Sequence, residues 1–335
     1  MLKKTLLAAA AGATALGLAV PALAWGSGGW HASALPGLSG QGAYAEAVTS
    51  AGQGDAWVFG QNSAGAQVAL HRTGSAWKLT KLPGAGANVT VARATAASDV
   101  WAFVTVGTGS EAMHYHSGSW SVAGKFASTV DDAIAYNPGN IWAFSTSAWH
   151  YNGSTWSKVA GGSGLTSGSA VSATSIWAGG GSVVAHWNGT SWTRTSVARL
   201  LPRRIAGGLN DPAIVAMSAQ SADSVYAIAD GNAQDQGGPI YILHWNGSTW
   251  SKVASAGGGY TSPDQVIADG SGGLWLATQA AGANSAVLHY SGGRVTRAAL
   301  PDSGTVHGLS LIPGTGNVLA SMAAHSAQLL LAYQP

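Results

Sequence analysis

Six histidines recur at a nearly fixed place along the chain: His71, His114, His150, His186, His244 and His289. An imidazole can ligate a metal, carry a proton or hold a neighbouring donor in place. Metal binding needs ligands that converge at about 2.0–2.1 Å on one point. Side chains repeated once per structural unit are instead spread apart by that unit. The spacing therefore predicts a structural hydrogen-bonding role and no bound metal. His114 and His116 alternate on one strand face, but with no carboxylate nearby they form a weak pair. Glycoside hydrolysis needs two facing carboxylates, and Asp131, Asp132, Asp211, Asp230 and Asp264 are the candidates. Nothing in their spacing selects a pair. The sequence has no cysteine, so thiol chemistry and disulfides are excluded. No catalytic residue and no cofactor is expected.

The elements that must position these residues show in an internal repeat. One phrase reads Asp55-Ala56-Trp57-Val58-Phe59, then Asp99-Val100-Trp101-Ala102-Phe103, Asn140-Ile141-Trp142-Ala143-Phe144 and Ser175-Ile176-Trp177-Ala178. Looser copies are centred on Tyr226, Trp275 and Leu319, which makes seven anchors 35 to 49 residues apart. A second phrase follows the anchor, as in His150-Tyr151-Asn152-Gly153-Ser154-Thr155-Trp156, and returns almost unchanged at His186 and His244. Asn-Gly between alternating apolar residues is a strong hairpin signal, through a turn whose two central residues both take positive φ. Asn152, Asn188 and Asn246 also match a glycosylation sequon, but the turn explains them. Each unit thus reads as four strands: an inner strand, the Trp strand, the His strand and an outer strand opened by a second Trp.

The seventh unit has three strands, near residues 306–311, 318–322 and 329–333, and no fourth. Residues 29–36, Gly-Trp-His-Ala-Ser-Ala-Leu-Pro, resemble the outer strands after Trp77 and Trp156. The expected fold is all-β: a single seven-bladed β-propeller over residues 25–335, four antiparallel strands per blade. Residues 25–37 complete the last blade, because closing the ring removes its open strand edges.

These repeats resemble those of secreted actinobacterial β-propellers, grouped loosely with the kelch and galactose-oxidase-like superfamily. The Asn-Gly-Ser-Thr-Trp turns are similar to the Asp-box of sialidases, with Asn in place of Asp. The resemblance implies the propeller architecture. It does not imply the corresponding enzymes, since propellers host many functions. The oxidase centre requires a Tyr crosslinked to a Cys, which this chain lacks. The sialidase centre requires three converging arginines, and Arg72, Arg93, Arg194, Arg199, Arg203, Arg204, Arg294 and Arg297 do not sit at equivalent blade positions.

Departures from the repeat point to where a ligand would bind, since insertions map to one face. From Trp192 to Tyr226 the connector runs 34 residues against 21 to 27 elsewhere, and it carries Arg203, Arg204 and Asp211. From Tyr226 to Trp250 the distance is 24 residues against 14 to 20 elsewhere, through Asp230, Asn232 and Asp235. In a four-stranded antiparallel blade both segments lie on one face. The expected ligand site is therefore Arg203, Arg204, Asp211, Asp230, Asn232 and Asp235 at the fifth blade. The bland alternative is that the two arginines merely pair with Asp211 and Asp230. Trp149, Trp187 and Trp245, on third strands, are candidates for exposed rings on which sugars could stack.

Composition limits the partners. Charged residues make up 8% of the chain and the net charge is +2, against about 25% charged residues in ordinary domains. There is no basic run, so nucleic acid is excluded as a ligand class. Lys3 and Lys4, the apolar residues 6–20 and the small residues before position 25 read as a signal peptide over residues 1–24. Its apolar core is too short to span a bilayer, which takes about 20 residues. The expectation is a secreted, extracellular, monomeric and non-catalytic binding protein whose ligand is a glycan or an extracellular protein. A glycan-acting hydrolase or lyase with its site on the same face, and a structural component of the cell surface, are the alternatives.

Overall fold

The computed structural model describes residues 28–84, 86–202, 211–231, 239–256, 263, 265–279, 285–325 and 327–335. The signal peptide expected over residues 1–24 lies outside them. Their elements are 28 β-strands in seven four-stranded antiparallel sheets. Among the described residues no helix is long and apolar enough to cross a membrane.

Strand β1 spans Gly29–Ala34. Blade one holds β2 (Tyr44–Gly52), β3 (Asp55–Gln61), β4 (Gln67–Thr73) and β5 (Ala76–Lys81). Blade two holds β6 (Val89–Ala96), β7 (Asp99–Val106), β8 (Gly109–His116) and β9 (Ser119–Phe126). Blade three is β10 (Asp132–Asn137), β11 (Asn140–Phe144), β12 (Ser147–Tyr151) and β13 (Trp156–Ser163). Blade four is β14 (Ser167–Ser172), β15 (Ser175–Gly180), β16 (Val183–Trp187) and β17 (Trp192–Ser196). Blade five is β18 (Ala213–Ser221), β19 (Ser224–Asp230), β20 (Ile240–Trp245) and β21 (Trp250–Ala256). Blade six is β22 (Gln265–Ala268), β23 (Leu274–Gln279), β24 (Ser285–Ser291) and β25 (Arg294–Arg297). Blade seven is β26 (Gly304–Leu311), β27 (Val318–Ala324) and β28 (Gln328–Gln334), completed by β1.

The first strand of every blade touches the first strands of both neighbours, which puts these seven strands around the axis. Crowding there favours small residues. A Cβ on Gly168 of β14 would lie 2.2 Å from the Phe144 ring of the preceding blade. Second strands are covered on both faces by adjacent sheets, so Trp57, Phe59, Trp101 and Phe103 have no exposure at all. Outer strands are mostly exposed, as β5 is at Lys78 and Leu79, with Trp77 half-buried.

A single joint repeats around the ring. The second-strand ring of one blade meets the outer-strand Trp of the next edge-on: Trp57 with Trp120 at 5.6 Å, Trp101 with Trp156 at 5.7 Å, Trp142 with Trp192 at 5.7 Å and Trp177 with Trp250 at 5.8 Å. In blade six, whose outer strand carries no aromatic ring, Tyr226 instead meets Tyr290 of the third strand, β24, edge-on at 5.7 Å. Trp275 meets Trp30 of β1 at 5.4 Å and 84°. The N-terminal strand therefore supplies the outer tryptophan that blade seven lacks. Its register against β28 is continuous from Gly29↔Gln334 to Ala34↔Leu329, and Leu35 N donates to Gln328 O at 2.8 Å. Leu319 and Trp77 complete the circle within one apolar cluster.

The hairpin turns differ in detail from the expected geometry. Asn152, Asn188 and Asn246 do not take positive φ, and only the following Gly153, Gly189 and Gly247 do. The Asn side chain instead accepts two backbone N–H groups, as Asn152 Oδ1 does from Ser154 at 3.1 Å and Thr155 at 3.0 Å. Asn152 N donates to Thr155 O at 3.2 Å, but Thr155 N is taken by the Asn152 side chain, so the last paired residues are Tyr151 and Trp156 and the loop spans four residues. Asn is selected there for its side-chain acceptor.

Removing residues 25–37 strips Trp30 and Leu35 from buried positions and bares the edge of β28. Loss of a core Trp alone costs about 3–5 kcal/mol. The truncated chain is expected to melt roughly 10 °C or more below the intact one and to self-associate through the bared edge. A monomer melting within a few degrees of the parent contradicts the closure.

Candidate functional site

Each first strand starts on the face where the preceding connector arrives, here the front, and runs to the back. Side chains of these strands bond to the backbone of the neighbouring blade. Thr49 Oγ1 accepts Ala94 N at 3.1 Å, and Arg93 Nε donates to Ala133 O at 2.8 Å. Asp132 Oδ2 accepts Gly168 N at 3.0 Å, and Ser169 Oγ accepts Ala219 N at 2.9 Å. Gln220 Nε2 donates to Gly273 O at 2.9 Å, and from the second strand of blade seven Ser321 Oγ donates to Glu46 O of β2 at 3.4 Å. The axis is thus a ring of polar latches.

An axial cavity of about 280 Å³ opens between five of these strands and is lined by Arg93, Asp131, Ser169, Ser218 and Gln265 among others. Arg93 is fully engaged, donating to Ala133 O, to Ala92 O at 2.9 Å and to Asp132 Oδ1 at 2.8 Å. Asp132 also accepts Ala133 N at 2.8 Å. Asp131 and Gln265 stand at the front rim. Partial burial, then the adjacent Asp132, push the Asp131 carboxyl above its ordinary range. Among the described lining residues the only acids are Asp131 and Asp132, and both oxygens of Asp132 already accept hydrogen bonds from protein donors. The cavity offers one available carboxylate and several neutral donors and acceptors, an arrangement suited to binding.

Glu46 is a further buried acid, which the sequence did not single out. It occupies a bulge of β2 between Ala45 and Ala47 and is 8% exposed. Its Oε2 accepts Val89 N at 2.7 Å, tying blade one to blade two, and Gln67 Nε2 approaches Oε1 at 3.4 Å. Burial pushes its carboxyl up to about 7, against the opposing pull of Val89 N–H, Gln67 and Tyr44.

Of the site expected at the fifth blade, Arg203, Arg204, Asn232 and Asp235 lie outside the described residues. Asp211 and Asp230 are brought to one place on the front: Ala213, two residues after Asp211, pairs with Asp230 across β18 and β19. Asp230 is buried and Asp211 exposed. Asp211 lines a cavity of about 420 Å³ with Ser182, Leu201, Pro202 and Pro212. The two long segments therefore leave the same edge of the ring.

The six histidines pack against the aromatic anchors across the second and third strands, stacked in four blades and tilted by 35° at Trp142 and 33° at Tyr226. Ring separations run from 3.9 Å for Trp57–His71 to 4.7 Å for Trp142–His150. Each His Nε2 also bonds a polar side chain at the back: Asp55 at 2.7 Å, Asp99 at 3.0 Å, Asn140 at 3.1 Å, Ser175 at 2.9 Å, Ser224 at 3.1 Å and Asp269 at 2.9 Å. The first five partners stand two residues before the anchor. Blade six has Gly273 there, and Asp269 reaches in from the preceding loop, occupying the space a Cβ on Gly273 would take at 2.4 Å. Burial lowers the imidazoles of His150, His186 and His244, whose partners are neutral. Two expectations are corrected. Trp149, Trp187 and Trp245 are half-buried in contact with Phe126, with Trp142 and with Trp177 of the preceding blades, not free stacking surfaces. His114 and His116 do have a carboxylate beside them, because pairing of Asp99 with His116 across β7 and β8 brings it there.

No protein-family model and no curated protein matches the chain. Solved structures do. The structure of YCF48 bound to D1 peptide is 15% identical, with 95% of this chain and 98% of that one aligned at a TM-score of 0.58. The WD40 repeats of RRP9 are 10% identical over 92% of this chain and 98% of that one, at 0.60. The extracellular domain of BT4673 from B. thetaiotaomicron is 9% identical over 91% of this chain, at 0.61, and this chain spans 40% of its length. At these identities the likeness is one of fold.

Glu46 makes stability depend on pH. Between about 4.5 and 7 the folded protein holds a proton on Glu46 that the unfolded chain releases, so this contribution falls as pH rises. The buried histidines act in the opposite sense, losing stability as pH falls below about 6.5. The difference in unfolding free energy between Glu46→Gln and the parent isolates the first effect. It is expected to move by about 3 kcal/mol in favour of the variant from pH 4.5 to pH 8. A difference independent of pH contradicts the assignment.

Proposed function

We propose that the chain is a secreted, monomeric, non-catalytic binding protein that holds a polypeptide segment on the front of the ring. The signal peptide over residues 1–24 is the reason for placing it outside the cell, and grouping with kelch-like propellers belongs to the same proposal. The observation that carries it is the axial cavity, whose polar lining comes from five different blades and whose rim faces the side of the long fifth-blade segments. An amide or cationic side chain of the ligand would enter the cavity against Asp131. Its backbone would run towards blade five, and Arg203 and Arg204 of the long connector are the proposed donors to its carbonyl or carboxylate groups, a guanidinium being a fixed fork of N–H groups. Asp211 and Asp230 stand at the described ends of the two long segments, and Asn232 and Asp235 are proposed as further contacts. The fold neighbour YCF48, solved with a bound peptide and aligned over nearly its whole length, supports a peptide ligand over a glycan. The half-burial of Trp149, Trp187 and Trp245 removes the strongest reason for expecting sugar stacking.

Residues 25–335 are to be screened on a peptide array and a glycan array in parallel, and the best ligand titrated against variants. Peptide binding is expected, weakened at least about tenfold by Asp131→Asn and by the double change Arg203→Ala, Arg204→Ala at unchanged melting temperature. Binding to glycans alone, or peptide binding indifferent to both variants, contradicts the reading. A double variant that loses stability instead assigns the arginines to holding the loops.

A further inference from the structure

The back of blade two shares its two-residue turn with blades one and six, which turn at Gly74-Ser75 and Gly292-Gly293, but not its residues. Its hairpin between β8 and β9 is a two-residue turn at Ser117 and Gly118, with Ser117 at φ 52°, the single non-glycine with positive φ among the described residues. The turn sets His116 at the last paired position of β8, opposite both Asp99 and Ser119. The residue two places after the repeated His is Thr73, Asn152, Asn188, Asn246 or Ser291 in the other blades that carry one. Only here is it a second histidine.

Asp99 Oδ2 is the meeting point. It lies 3.0 Å from His114 Nε2 and 3.6 Å from His116 Nδ1, and the ligand atoms of all three residues fall within 4.8 Å of one another. Donors about 2 Å from a common cation stand about 2.9 to 3.4 Å apart, so small side-chain rotations complete the fit. Thr95 Oγ1 donates to Asp99 Oδ1 at 2.6 Å and fixes the carboxylate, the orienting contact that metal-ligating carboxylates have. His114 is held flat on Trp101 at 4.0 Å. Asp99 is buried, whereas the His116 side chain is 67% exposed, so the group is open to solvent on one side.

From this geometry we infer a divalent-cation site formed by Asp99, His114 and His116, taking Zn²⁺ or Cu²⁺. Two imidazoles and one carboxylate match the ligand preference of these borderline cations and leave positions for water. On binding, His114 carries its proton on Nδ1, and the cation takes the place of the hydrogen bond between Nε2 and Asp99. The cation would pin the β8–β9 turn to the start of β7, on the side away from the front rim. This replaces the expectation of a metal-free repeat at one blade, and leaves it for the other five histidines.

Untagged protein of residues 25–335 is titrated calorimetrically with Zn²⁺, and its Cu²⁺ form is examined by electron paramagnetic resonance. The variant His116→Asn keeps the residue type used in blades three to five and leaves the His114–Trp101 stack in place. One Zn²⁺ per chain is expected, with Kd of about 1 µM, weakened at least about tenfold in the variant. The Cu²⁺ spectrum is expected to show nitrogen couplings that diminish in the variant. Absence of saturable Zn²⁺ binding up to about 100 µM, or equal affinity in parent and variant, overturns the site.

Discussion

The structure depends on the edge-on meeting of an aromatic anchor in one blade with the outer-strand ring of the next. Such pairs add about 0.5–1.5 kcal/mol each beyond the area they bury. Their larger effect is geometric. An anchor such as Trp57 has His71 on its face and Trp120 at its edge, so its blade is held in register internally and towards its neighbour by one ring. Repeated around a circle, the joint cannot be relaxed at one blade without straining the next. The last joint, Trp275 with Trp30, uses residues from opposite ends of the chain. With no disulfide available, this non-covalent seam carries the closure that a covalent staple provides in many secreted domains.

The proposed function rests on what the joints leave at the axis. Anchors fill the space between sheets, so the first strands carry small residues and a few polar side chains. Most of those polar groups serve the ring: Arg93, Asp132, Ser169 and Gln220 bond the backbone of adjacent blades. The groups available to a ligand are therefore few and held rigidly, which lowers the entropic cost of recognition.

Much of this architecture was legible because it repeats. The Trp-Ala-Phe strands, the Asn-Gly turns and the orphan outer strand at residues 29–36 each follow from local pattern and count. The role of the histidines was also legible from their periodicity. What could not be read came from contacts between residues whose proximity is set by register or by three dimensions. Asp99 faces His116 because β7 and β8 pair with that register. Asp269 substitutes for a missing side chain at Gly273 from outside the strand, which spacing alone cannot foretell. Glu46 lies in a bulge that breaks the alternation on which strand reading rests. The fifth-blade segments were visible as insertions, and the structure adds that their described ends, Asp211 and Asp230, share one edge.

The claim that all of this rests on a ring closed by its own N-terminus is tested most directly by native-state hydrogen exchange across the β1–β28 seam. In a ring sealed at this seam the bonded amides there, Leu35 among them, exchange only through global unfolding, with the same free energy as amides in β7 and β11. Exchange at the seam through a local opening several kcal/mol cheaper than global unfolding, with the second strands still protected, would contradict it.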